Sequence, residues 1–183
     1  MSAAIDTVMT DSFWVFAYGS LMWRPGFDYD ETLPGYLFGW HRAMCILSTR
    51  YRGCPERPGL VLGLDRGGSC KGLVYRVAGS EGPSVRRYLH EREMLTGVYT
   101  PRFAPVRLVD GRRVSAYVFT ARPDHRQYAG RLSLEQAAEL IRQGNGSVGS
   151  SRDYLASTVA HLDALGVPDQ ALRQLLRLVD SAG

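Results

Sequence analysis

The 183-residue chain has few cysteines, and their arrangement suits neither a metal site nor a disulfide framework. The chain has an odd number of cysteines, namely Cys45, Cys54 and Cys70. They form no C-x-x-C pair, and none is separated from a histidine by the spacing typical of metal ligands. We therefore expect no metal and free thiols, which are typical of a reducing compartment.

Long apolar runs and runs of one charge are also missing. No stretch reaches about 18 apolar residues, so no membrane-inserted helix is predicted. Residues 1–12 contain no Lys or Arg, unlike a secretory signal or a transit peptide. The 22 basic and 18 acidic residues nearly balance, so composition requires no nucleic-acid partner. These features predict a cytoplasmic protein.

Glycine and proline are scattered along the chain, 20 and 9 residues respectively, which favours short elements joined by many turns. Strand-like segments are predicted at 14–18, at 36–47, and in two hairpins over 60–77 and 99–121. Residues 24–32 and 48–59 are predicted as loops. Helices are predicted over 83–95, 134–142, 151–165 and 168–179.

The order of these elements separates most strands from most helices, which favours an α+β fold over a doubly wound sheet. We expect a small, curled mixed sheet or barrel of about six or seven strands with flanking helices. A chain of this length predicts a single domain over 1–183, with residues 1–12 as a flexible tail.

The first predicted strand ends in Tyr18-Gly19-Ser20-Leu21. Backbone N–H groups at Gly19 and Ser20 are free of bulky side chains, and glycine allows the φ values of a concave nest. An anion or a carbonyl oxygen could bind there. The alternative is an ordinary turn, because Gly-Ser is common turn chemistry.

The helix predicted over 83–95 carries two carboxylates, Glu91 and Glu93. At about 100° per residue they project roughly 160° apart, so they cannot serve the same site. Both lie near the margins of the apolar arc, and periodicity does not say which one faces a pocket. Both could instead be exposed acids paired with nearby arginines.

Other candidate motifs are weaker. Ser20 lies in no G-x-S-x-G elbow, and Cys45 lies in an apolar run where an inert thiol is expected. The glycine-rich segment 144–151 lacks the Lys-Ser/Thr ending of a phosphate loop. The loop Arg50-Tyr51-Arg52-Gly53 could be solvated, could bind a substrate carboxylate through a guanidinium, or could contact RNA.

Several segments, in order along the chain, match the landmarks of one family. They are FWVFAYGSLMWRPGF (13–27), the segment from GYLFGW to LVLGL (35–64), YLHEREMLTGVY (88–99), AYVF (116–119) and GSSRDYL (149–155). Together they resemble the ChaC-like γ-glutamylcyclotransferases. The chain departs from the family at 148–151, at Gly97-Val98-Tyr99 and at Arg50.

The resemblance implies a γ-glutamylcyclotransferase-like fold and a reaction that needs no cofactor. The α-amine of a γ-glutamyl group attacks its own γ-carbonyl and releases 5-oxoproline and an amine, which for glutathione is Cys-Gly. The resemblance selects Glu93, rather than Glu91, as the general acid/base. It also selects Tyr18, Gly19, Ser20 and Leu21 as the loop that holds the small-molecule substrate.

Three further residues become substrate-binding candidates. Tyr117 and Tyr154 lie in the later landmarks of the family, and Arg52 lies in the basic loop. Each tyrosine could equally be a core aromatic residue. Two other functions stay open: a non-enzymatic γ-glutamyl-binding regulator of a transport protein, and an RNA-binding module.

Overall fold

The structure, a computed structural model, describes residues 12–181. The predicted tail lies outside this range, apart from Ser12. The strands are β1 (Phe13–Ala17), β2 (Glu31–Ser48), β3 (Gly59–Val77), β4 (Tyr99–Leu108), β5 (Arg113–Ala121), β6 (Asn145–Gly146) and β7 (Gly149–Ser150). The helices are α1 (Gly82–Glu93), α2 (Leu134–Gln143), α3 (Ser151–Ala164) and α4 (Gln170–Asp180), with 3-10 turns at Ser20–Met22 and Gly79–Glu81.

Five strands close into a barrel in the order β1-β3-β2-β4-β5, and a parallel pairing of β1 with β5 completes the ring. The other pairings in the barrel are antiparallel, so the sheet is mixed as predicted. The two-residue strands β6 and β7 form a separate ladder before α3. The expected α+β barrel is therefore confirmed, although five strands close it rather than the predicted six or seven, because residues 59–77 form one strand and not two. Each predicted helix agrees with the structure to within two residues at either end.

The prediction of a hairpin over residues 60–77 is wrong. Residues Gly59–Val77 form one continuous strand that pairs with β2 from Glu31 to Ser48, so part of the predicted 24–32 loop is also strand. Gly67 and Gly68, with φ values of +100° and +67°, form a bulge of two residues opposite the single residue Gly39, whose φ is +84°. A turn-forming sequence therefore bends the strand at a bulge and does not reverse it.

Strand β1 is buried along most of its length because it is covered on both faces. Phe16 packs inside the barrel, whereas Val15 and Ala17 pack towards the helices; all three are at most 1% exposed. A strand buried on both faces reads as a continuous apolar run, as FWVFA does. The chain therefore leaves β1 at the junction between barrel and helices.

Within residues 12–181, no helix combines the length and apolarity needed to cross a membrane.

A buried guanidinium joins the end of β1 to the C-terminal helix. Arg42 on β2 donates to the carbonyl oxygens of Tyr18 (2.6 Å) and Lys71 (2.8 Å), and its side chain is only 3% exposed. Its charge is balanced by Asp169 at 3.0 Å, which also caps α4 by accepting from the Leu172 amide. One cation thus connects β1, β3 and α4.

Arg42→Met should lower the free energy of unfolding by about 3–5 kcal/mol, because it leaves a partly buried carboxylate and two carbonyl oxygens without their donor. The matched control is Arg173→Met, which breaks the exposed Arg173–Asp163 pair and should cost less than about 1 kcal/mol. Urea unfolding of the two variants tests this. Equal stabilities would contradict it.

Candidate active site

The chain leaves β1 through a loop whose backbone donors are unused. After Ala17, a 3-10 turn over Ser20–Met22 follows Gly19, and the Met22 amide donates back to the Gly19 carbonyl. Within residues 12–181, the amides of Gly19, Ser20 and Leu21 have no hydrogen-bond acceptor. Three adjacent N–H groups at the start of a turn form a site for an anion or a polarised carbonyl oxygen.

The carbonyl side of this loop is fixed by buried contacts. The hydroxyl of Tyr75 donates to the Leu21 and Met22 carbonyl oxygens at 3.1 and 2.9 Å, while Arg42 holds the Tyr18 carbonyl. Arg92 of α1 donates to the Ser20 hydroxyl at 2.9 Å. These contacts hold the loop without using its amides.

Gly19 borders the cleft and has no side chain to enter it. Its φ is −138°, so the expectation that glycine supplies a nest-type φ is wrong at this position. A Cβ atom there would lie 3.5 Å from Leu62 Cδ1, an ordinary contact, and both residues line the same cleft. A larger side chain at position 19 would therefore occupy the cleft.

Glu93, the last residue of α1, lines this cleft together with the loop. The cavity volume is about 50 Å³. The lining residues are Phe16, Tyr18, Gly19, Ser20, Leu21, Leu62, Glu93, Tyr99, Phe119 and Tyr154. Six of the eight predicted site residues are thus brought together, although they come from the N-terminal loop, α1 and α3.

The electrostatic environment of Glu93 suits proton transfer. Burial raises the pKa of its carboxyl, and the nearby charge of Arg92, whose Nε lies 3.3 Å from Glu93 Oε1, partly opposes the rise. The side chain keeps 22% exposure, so protons and substrate can reach it. Glu91 is exposed and lines a different surface. The structure therefore places Glu93, and not Glu91, in the cleft, which periodicity alone left open.

Three tyrosines surround the cleft as neutral phenols. Burial raises the pKa of Tyr154 to about 12 and raises those of Tyr18 and Tyr99 well above the ordinary value. The Leu62 amide donates to Tyr154 Oη at 3.2 Å, so the Tyr154 hydroxyl proton remains available to a ligand. Tyr99 donates its proton to the Leu62 carbonyl at 2.7 Å and can accept one.

The structure does not bring Tyr117 to the cleft. Its ring packs against Phe13, Phe103 and Phe119 with centroid distances of 5.7, 5.2 and 5.3 Å, and it is 2% exposed. Phe119, two residues further along β5, reaches the cleft in its place. Tyr117 therefore occupies the position of a core aromatic residue.

Arg52 lies behind the cleft, outside its lining. Its guanidinium is 5.5 Å from the ring centre of Tyr154 and donates to the carbonyl oxygens of Val148 and Ser150 at 3.2 and 3.4 Å. These contacts support the segment that leads into α3. Arg52 thus reaches the cleft only through Tyr154.

Sequence reasoning did not assign Tyr99, Leu62, Phe119 or Arg92 to the site. Tyr99 and Arg92 lie inside the family landmark at 88–99, but no local pattern says that either would approach the 18–21 loop. Among residues 12–181, no group of three His, Cys, Asp or Glu side chains could hold a metal ion.

Comparison with known proteins identifies the family. Residues 13–182 match the family model described as ChaC-like protein. The chain belongs to the ChaC-like family. Among curated relatives, the glutathione-specific γ-glutamylcyclotransferase of Escherichia coli K12 is 39% identical over 163 residues, covering 89% of this chain and 71% of the relative. Glutathione-specific γ-glutamylcyclotransferase 1 of Homo sapiens is 31% identical over 175 residues, covering 93% and 78%.

A solved structure has the same fold. A γ-glutamyl cyclotransferase specific to glutathione from yeast superimposes with a TM-score of 0.82 at 23% identity, covering 93% of this chain and 96% of the other. At this identity the likeness concerns the fold. The barrel and helices of the ChaC-like chain are therefore those of a known γ-glutamylcyclotransferase structure.

Burial of Glu93 predicts a pH-dependent stability. Because its folded pKa is raised above the ordinary value of 4.5, the folded state binds more protons than the unfolded state between these two values. Stability is therefore lost as pH rises through this window, and the loss persists above it. Glu93→Gln, which never carries the charge, should be more stable than the wild type at pH 8, with a smaller difference at pH 5.

Urea unfolding at both pH values measures this difference. Glu91→Gln, which changes an exposed acid two residues away, serves as the control and should keep the pH dependence of the wild type. A Glu93→Gln variant that is less stable than the wild type at pH 8 would show that the charged carboxylate is favoured in the fold.

Proposed function

We propose that this ChaC-like protein is a γ-glutamylcyclotransferase that converts glutathione to 5-oxoproline and Cys-Gly, with Glu93 as general acid/base. One observation supports this most directly: a buried carboxylate shares a small cleft with three unused backbone amides. The names of the curated relatives support the same reaction class and the same substrate.

The reaction requires one proton carrier and no external reagent. Glu93 takes a proton from the α-ammonium group of the substrate, and the free amine then attacks the γ-carbonyl carbon. A C–N bond forms, closing a five-membered ring, and the carbonyl oxygen becomes an oxyanion. Glu93 returns the proton to the γ-amide nitrogen and then takes the second proton from the ring nitrogen. The oxyanion re-forms the carbonyl as the original C–N bond breaks, Cys-Gly leaves as a neutral amine, and Glu93 releases its proton to solvent.

The loop supplies the electrostatic part of catalysis. The amides of Gly19, Ser20 and Leu21 are free to donate to the substrate carboxylate or to the developing oxyanion, and the Tyr154 hydroxyl offers a further donor. Loss of one well-placed donor to an oxyanion typically raises the barrier by about 2.7–4 kcal/mol. Holding the substrate bent towards its ring form supplies a further entropic advantage.

The size of the cleft limits which part of the substrate enters it. A cavity of about 50 Å³ is far smaller than a tripeptide. We therefore place only the γ-glutamyl end between the loop and Glu93, with the rest of the substrate outside the cleft. The leaving amine must then lie towards solvent, on the partly exposed side of the Glu93 carboxylate.

We further propose that the chain works as a single domain in the cytoplasm. Residues of β1, α1 and the last three helices share one buried cluster, which favours one folding unit. Cys45, Cys54 and Cys70 are all free, as is typical of a reducing compartment, where glutathione is abundant.

Glu93→Gln should reduce 5-oxoproline formation from glutathione by at least about 100-fold, because the amide cannot take the proton of the α-ammonium group. Calorimetric titration should still detect glutathione binding, since the loop is unchanged. Mass spectrometry of the product gives the rate, and Glu91→Gln is the matched control. Wild-type turnover by Glu93→Gln would reject Glu93 as the proton carrier.

Gly19→Val should abolish glutathione binding because its methyl groups would fill the cleft. Gly19→Ala adds one atom in ordinary contact with Leu62 and should bind more weakly than the wild type but better than Val. Titration calorimetry orders the three proteins, and urea unfolding verifies that each is folded. Unchanged affinity in Gly19→Val would place the substrate elsewhere.

A further inference from the structure

Arg92 connects the two halves of the candidate active site. It lies in the last turn of α1, next to Glu93, and its side chain is 25% exposed. Its guanidinium donates to Ser20 Oγ at 2.9 Å, to the Arg24 carbonyl at 2.6 Å and to Tyr88 Oη at 3.0 Å. Its Nε atom lies 3.3 Å from Glu93 Oε1. Neighbouring residues on a helix project about 100° apart, so Arg92 reaches the loop from outside the cleft that Glu93 lines.

No other α1 side chain in the described part of the chain donates a hydrogen bond to the segment 18–25. Tyr75 and Arg42 fix the same loop, but they bind it to β3 and β2. The distance between the free amides and the Glu93 carboxylate therefore depends on Arg92 more directly than on any other side-chain hydrogen bond.

We propose that Arg92 is a positioning residue of the cyclisation, which sets the separation and orientation of the Glu93 carboxylate relative to the Gly19–Leu21 amides. The proposal rests on the proposed function, because it assumes that these two groups act on one substrate. Arg92 touches Glu93 and the loop, and it does not line the cleft.

The contact with Glu93 also sets the charge beside its carboxylate. The Arg92 guanidinium lies next to Glu93 Oε1. The other ionisable groups that face Glu93 are the phenols of Tyr18, Tyr99 and Tyr154, which stay neutral because burial raises their pKa values. Arg92 is therefore the cation beside Glu93 that opposes the rise in the Glu93 pKa.

Lysine could replace only part of this role. An arginine fork donates in several fixed directions at once, whereas a lysine ammonium is a point charge on a flexible stem. Arg92→Lys keeps a positive charge near Glu93 but loses the simultaneous contacts with Ser20, Tyr88 and the Arg24 carbonyl. Arg92→Met removes both the charge and the fork while keeping an unbranched apolar stem.

The test compares Arg92→Lys and Arg92→Met with the wild type, measuring kcat/KM for 5-oxoproline release from glutathione between pH 5 and 9. We expect both variants to lose about 100-fold in kcat/KM, the size of effect that a misplacement of about 1 Å can cause. In Arg92→Met the acid limb of the profile should also move to higher pH by about one unit, because an opposite charge has gone. In Arg92→Lys the limb should move less.

Arg87→Met is the matched control, because Arg87 is an exposed arginine of α1 on a different surface from the cleft. It should keep the rate and the pH profile of the wild type. Urea unfolding verifies that every variant is folded at the assay temperature. If Arg92→Met is not folded, the conclusion is drawn from the kcat/KM of Arg92→Lys.

Two results would overturn the positioning role: folded Arg92 variants with wild-type kcat/KM, or an Arg92→Met variant that is slow but has an unmoved acid limb. The second result would indicate a merely structural effect. Failure of the proposed function is distinguished by Glu93→Gln: if that variant keeps full turnover, Glu93 is not the proton carrier and the role of Arg92 beside it has no basis.

Discussion

The site depends on a strand end whose carbonyl oxygens are bound and whose amides are not. Arg42 makes this possible, because its guanidinium binds the Tyr18 carbonyl oxygen. A cation that is 3% exposed needs a partner, and Asp169 supplies it from the start of α4. The C-terminal helix is thus coupled through one ion pair to the N-terminal loop, although the two lie more than a hundred residues apart in the chain.

Barrel closure determines which groups can meet at that loop. The parallel pairing of β1 with β5 encloses β1, so the chain can leave only at the rim, where Phe16 and Phe119 line the same cleft. Helix α1 connects β3 to β4 and ends at the same rim, which brings its last residue, Glu93, opposite Gly19. An acid on the helix and amides on the loop therefore converge because two connections end at one edge of the barrel.

Local patterns predict some of this arrangement and not the rest. The helices and β1 have strong local signals, and their bounds agree with the structure to within two residues. The Asp65-Arg66-Gly67-Gly68 sequence indicated a reversal, but pairing with β2 on both sides of the glycines keeps the strand continuous. Periodicity could not choose between Glu91 and Glu93; the family resemblance chose Glu93.

Long-range contacts explain most of what the sequence did not predict in the site. Tyr99 donates a hydrogen bond to a carbonyl oxygen on β3, and Arg92 donates one to Ser20, 72 positions earlier in the chain. The local periodicity of the sequence does not predict contacts between residues so far apart in the chain. Tyr117 and Tyr154 both lie in family landmarks, yet only Tyr154 lines the cleft, because the outward face of β5 buries Tyr117 among other aromatic rings.

In the proposed reaction, one carboxyl group has to take a proton from an ammonium group and then return it to a departing nitrogen. Burial in the cleft that Phe16, Leu62 and Phe119 also line raises the pKa of Glu93 and makes it a stronger base, and the charge of Arg92 opposes the rise. Because Arg92 contacts both Ser20 and Glu93, the basicity of Glu93 and the position of the loop depend on the same side chain.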